Sequence, residues 1–93
     1  MKRKTGSIIE QVKDAIREPF VWPGGYGKVI LFSDGECTLP RNAKNNFLNI
    51  VIDTRDQRGI WEVHAVFVHW EGPDLIDTIT GEEIKSEYGD PTA

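Results

Sequence analysis

The sequence predicts a small α+β domain: a short antiparallel three-stranded sheet packed with two helices. Three observations carry that prediction. Apolar residues recur at helical spacing near the N-terminus, an Asp-Gly pair follows a short β-rich run, and a long β-rich run occupies residues 60–70.

The first helix is expected over about residues 7–17. Ser7-Ile8-Ile9-Glu10 has the form of a capping box, Ile8, Ile9, Val12, Ala15 and Ile16 share one face of a 3.6-residue period, and Pro19 ends the run. The segment from Glu18 to Gly27 follows, where two prolines and three glycines oppose regular structure while Phe20, Trp22 and Tyr26 require packing partners. A lid of aromatic side chains folded over the core is the preferred expectation. An exposed aromatic contact surface is the alternative.

Lys28 to Ser33 reads as a strand, and Asp34-Gly35 is a two-residue hairpin signal that leads to a return strand over Glu36 to Leu39. Pro40 suits the first position of a helix. Ala43, Phe47, Ile50, Val51 and Thr54 then predict a second helix over roughly 41–53. Asp53 to Gly59 is a polar turn, and Ile60 to Trp70 is expected to be the central strand. From Glu71 onward the few apolar residues predict a segment that folds back and packs weakly, with a tight turn at Gly81. The whole chain, 1–93, is expected to form one domain with flexible ends at 1–6 and 89–93.

Composition restricts the function classes. A single cysteine, Cys37, cannot form an intramolecular disulfide, and with two histidines it cannot complete a tetrahedral structural zinc site. Without such a staple, a core of this size contributes only about 3–5 kcal/mol of net stability. No run approaches the roughly 18–20 apolar residues of a membrane span, and Lys2-Arg3-Lys4 precedes an amphipathic segment, so a cytoplasmic protein without a membrane partner is expected. Residues 1–60 carry ten Lys and Arg against seven Asp and Glu, whereas residues 71–93 carry seven carboxylates against Lys85 alone. That acidic field repels phosphate backbones and attracts basic protein surfaces.

Catalytic constellations are thin. His64 and His69 are five residues apart on an expected strand and so point to opposite faces. Cys37 has no partner at metal-ligand spacing, and the glycines at 24–27 lack the context of a phosphate loop. No enzyme activity, cofactor or metal is expected.

Several segments resemble a group of small proteins of bacteriophages and other mobile elements. They are Glu18 to Tyr26, Ser33-Asp34-Gly35-Glu36, Ala43-Lys44-Asn45-Asn46, Gly59-Ile60-Trp61, Trp70 to Leu75 and Ile84 to Gly89. In that group two Cys-x-x-Cys knuckles hold a zinc ion. The resemblance places the first knuckle on Leu39 and Asn42 and the second on Asp77 and Thr80, none of which is a cysteine here. It therefore implies a zinc-ribbon-like scaffold without its metal, which is worth roughly 10–16 kcal/mol where present. Burial of Leu39, and capping of a turn by Asp77 or Asn42, are the expected compensations.

The function expected on these grounds is a non-enzymatic mobile-element accessory protein acting as a binding module. Its partner would be a host protein or complex with a basic surface, such as a defence or nucleic-acid-handling complex inhibited in the anti-CRISPR manner. The expected contacts are Asp74, Asp77, Glu82, Glu83 and Glu87 with Trp22 and Tyr26. Direct nucleic-acid binding through the basic N-terminal part, with Lys2, Arg3, Lys4, Lys13, Arg17, Arg55 and Arg58, is the alternative that the net charge of −4 disfavours.

Overall fold

In a computed structural model of the chain, the structure describes residues 5–21 and 24–88. Lys2-Arg3-Lys4, Trp22 and the expected flexible end at 89–93 lie outside the described residues.

Helix α1 spans Thr5–Arg17 and buries Ile8, Ile9, Val12 and Ala15, the face that the spacing marks out. It begins three residues earlier than a capping box with Ser7 outside the helix requires. Ser7 therefore sits within the first turn rather than outside it.

Strand β1 (Phe20–Val21) pairs with the start of β2 (Tyr26–Phe32), and β3 (Cys37–Thr38) pairs with the end of β2. The Lys28 amide donates to the Pro19 carbonyl and the Phe32 amide to the Glu36 carbonyl. Amides four residues apart point to the same edge of a strand, so β1 and β3 share one edge of β2. Along the other edge runs β4 (Val63–Val68), antiparallel, with a bulge at His64 between Leu31 and Phe32.

The central strand is thus β2, not the 60–70 run. The strand begins at Val63: the Glu62 carbonyl still accepts from the Ser33 amide, but the Trp61 amide is turned to the Asp53 carboxylate. The hairpin also differs from expectation: its loop is Ser33-Asp34-Gly35, with the Gly35 amide donating to the Phe32 carbonyl and only Gly35 at positive φ. That is the three-residue form of the connection.

The second helical segment is divided into α2 (Pro40–Ala43), a 3₁₀ turn (Lys44–Asn46) and α3 (Phe47–Asp56). Asn46 causes the break. Its backbone leaves the helical region at φ −121°, and its side-chain Nδ2 donates to the Asn42 carbonyl at 3.4 Å, a local bond that competes with helix continuation. Gln57, in the left-handed region, ends α3.

Alternation along β2 assigns the core to two faces. Ile30 and Phe32 join Ile8, Val12, Ala43, Ile50 and Val63 on the helical side. Val29 and Leu31 face the other way, into a cluster with Cys37, Leu39, Phe67, Leu75 and Ile84. That second face is covered by the hairpin of β5 (Leu75–Ile76) and β6 (Glu83–Ile84), which turns at Gly81 as expected. The expectation of a weakly packed tail is corrected here. The C-terminal segment is a structural layer, and the fold is α+β with the sheet between helices and hairpin. Among the described residues no helix is long and apolar enough to cross a membrane.

Candidate functional site

Asp77 is the point from which the C-terminal layer is held. It follows β5 directly, forms a single parallel bridge with Cys37, and is fully buried. A buried carboxylate is tolerated only when donors surround it. Five groups do so: the Leu39 amide at 2.8 Å, the Asn42 side-chain amide at 2.7 Å, the Thr38 hydroxyl at 2.9 Å from both oxygens, the Ile79 amide at 2.8 Å and the Thr80 amide at 3.3 Å. Burial alone pushes this carboxyl up, but the bonds from Leu39, Asn42, Ile79 and Thr38 outweigh it and hold the pKa below its ordinary value. The carboxylate caps the turn at 77–80 and the entry to α2 at once.

Asn42 divides its two N–H bonds between carboxylates rather than backbone, reaching Glu82 at 2.6 Å as well as Asp77. The Glu82 carboxyl is held low, first by this bond and then, against slight desolvation, by Arg41, with which it is ion-paired. Leu39, half-buried, packs against the cluster of Val29, Cys37 and Ile84. Leu39, Asn42, Asp77 and Thr80 are therefore brought together, and the capping expected of Asp77 is present. The donor set does not fit a zinc ion: one apolar side chain, one amide, one hydroxyl, and a carboxylate already engaged by five donors. Among the described residues no group of three His, Cys, Asp or Glu side chains is placed to hold a metal.

An aromatic cluster lies at the other end of β2. Tyr26, the first residue of that strand, sets its ring edge-on to Trp70, with centroids 4.6 Å apart, and to Tyr88 at 6.2 Å. Trp70 and Tyr88 stack at 5.6 Å. The backbone makes this meeting possible. The amides of Glu87 and Tyr88 donate to the carbonyls of His69 and Trp70, and the Glu87 carboxylate accepts from the Gly27 amide at 2.9 Å. Tyr88 has its phenol raised by the hydrogen bond to Tyr26, by desolvation, and by nearby negative charge including that of Glu71 and Glu87. Yet Trp70 is 43% exposed and Tyr88 63%. The cluster is a surface rimmed with carboxylates, not a lid. Phe20 is likewise exposed.

The residues expected to make contacts therefore separate. Tyr26 and Glu87 belong to the cluster, while Trp22 lies outside the described residues. Asp77 is removed from any contact surface, because its oxygens are buried and fully engaged. Glu82 is directed to Arg41 and Asn42, and Asp74 and Glu83 both lie within 4 Å of Lys85, at 3.6 and 3.9 Å. Trp70, Tyr88 and Glu71 were not singled out by sequence reasoning. The available signal was the recurrence of an aromatic beside a glutamate at Trp70-Glu71 and Glu87-Tyr88.

The histidines do not meet. His64 is exposed at the bulge, and His69 lies beyond the strand with Nε2 2.9 Å from the Pro73 carbonyl. Cys37 is buried, with its thiol raised by desolvation first and then by Glu36, Asp77 and Asp34.

No family model matches the chain, and no solved structure matches it. A proteasome-associated ATPase of Renibacterium salmoninarum is similar, 27% identical over 85 residues that cover 83% of this chain and 14% of that protein. The chain thus spans about a seventh of the relative it matches.

Proposed function

We propose that this chain is a non-enzymatic protein-binding module that takes a basic side chain of its partner into the Tyr26–Trp70–Tyr88 cluster. The observation that carries the reading is three aromatic rings in mutual contact, two of them substantially exposed, beside Glu71 and Glu87. Exposed aromatic faces next to carboxylates suit a guanidinium or ammonium group, which gains both cation–π and charge attraction. Aromatic anchors of this kind dominate binding energy at protein interfaces. The resemblance to mobile-element proteins supports a host complex with a basic surface as partner, and inhibition of that complex as the outcome.

The test is capture of partners from a nuclease-treated bacterial lysate by the tagged protein and by its Trp70→Ala variant, at low and high salt. Recovery of one defined basic complex by the parent protein, lost in Trp70→Ala and weakened by salt, is expected. Equal recovery by the variant would refute the reading.

A further inference from the structure

A second surface of opposite charge lies between α1 and the start of α3. Ile16 and Phe47, both half-buried, form the floor of an open groove of about 220 Å³, with Lys13, Arg17 and Lys44 around it. The volume is below the roughly 300–1,000 Å³ of sites that enclose small molecules. It suits a single large side chain presented from outside. Among the described residues, Lys13 and Arg17 are ion-paired only with Glu10 and Asp14, three residues back on the same helix. Their side chains remain 51% and 72% exposed. Surface pairs of this kind contribute little and exchange readily. Lys44 has no ion-pair partner among the described residues, so three cations surround an apolar floor.

We propose that this groove docks an acidic segment of a partner protein, a peptide that places one bulky apolar side chain on Ile16 and Phe47 and carboxylates against Lys13, Arg17 and Lys44. Charge complementarity selects the acidic partner, and the apolar floor selects its anchor. A nucleic acid is the poorer fit. Its evenly spaced phosphates cannot avoid Glu10 and Asp14, whereas a peptide can position its carboxylates opposite the cations alone. The site is independent of the aromatic cluster and has the opposite preference, so the protein would join a basic partner to an acidic one.

The probe is a random short-peptide display library, panned against the intact protein and against Lys44→Glu, an exposed substitution that leaves the core untouched. The enriched consensus is then synthesised for affinity measurement. The expected result is a consensus of Asp or Glu flanking one Leu, Phe or Trp. Affinity should fall by about tenfold or more both in Lys44→Glu and when the peptide's apolar residue becomes Ala. Amide shifts in the bound protein should centre on Lys13, Ile16, Arg17, Lys44 and Phe47. No enrichment, a basic consensus, unchanged affinity in Lys44→Glu, or tighter binding of an oligo-dT strand at the same amides would overturn the proposal. Self-association abolished by Lys44→Glu would overturn it too, by assigning the groove to a second copy.

Discussion

Asp77 illustrates how a buried charge is made tolerable by what surrounds it. Replacing it with Ala leaves the Leu39 and Ile79 amides, the Thr38 hydroxyl and the Asn42 amide without their acceptor. Each buried orphan costs about 1–3 kcal/mol, so Asp77→Ala should lose at least about 3 kcal/mol in urea denaturation. The acid response follows from the same geometry. A carboxyl whose folded pKa lies below its ordinary 3.8 stabilises the fold at neutral pH, and that stabilisation disappears as pH falls through the unfolded and then the folded value. Asp77→Asn should therefore flatten the decline of stability below about pH 4, leaving the part due to Glu82, whose carboxyl is also held low. An unchanged acid profile would contradict this, because it would mean that folding leaves the Asp77 pKa where it is in the unfolded chain. Cys37 is governed by the same surroundings. Its thiol, raised above 9.0 by burial and neighbouring carboxylates, should react with a disulfide reagent at pH 8 many times more slowly in the native protein than in denaturant.

The elements differ in how much of their form is local. Helix α1 was legible because Ile8, Val12 and Ala15 repeat at helical spacing, and the entry to α2 because Pro40 suits a first helical position. The break at Lys44–Asn46 was not legible, since the apolar spacing of Ala43, Phe47 and Ile50 continues across it while the Asn46 backbone departs. The reach of β4 was overestimated for a related reason. Ile60 to Glu62 have strand-like composition, but Gly59 and Asp53 bind that stretch to the end of α3. Gly59 is at φ +100°, and a Cβ there would come within 2.5 Å of the Asp53 side chain. Gly59→Ala should therefore destabilise the protein by about 1–3 kcal/mol, measured by chemical denaturation. Loss of less than half a kcal/mol would mean that the turn relaxes freely.

Considered whole, the molecule is a sheet covered on one face by helices and on the other by its own acidic C-terminus. The second layer was hidden in the sequence because residues 71–88 contain few apolar side chains and many carboxylates, the composition of a solvated tail. Leu75 and Ile84 nonetheless fill the sheet's second face, and Asp77 finds its partners 35–39 residues away, contacts that no local pattern announces. The aromatic site depends on the same arrangement. Tyr88 and Glu87 reach Trp70 and Gly27 only if the C-terminal segment is held in place. Amide hydrogen exchange of the parent protein and of Asp77→Asn tests this most directly. In Asp77→Asn, protection is expected to fall from residue 77 to Tyr88, including the Glu87 and Tyr88 amides, while β2 and β4 keep theirs. Undiminished protection at Glu87 and Tyr88, or a uniform loss across the whole chain, would contradict it.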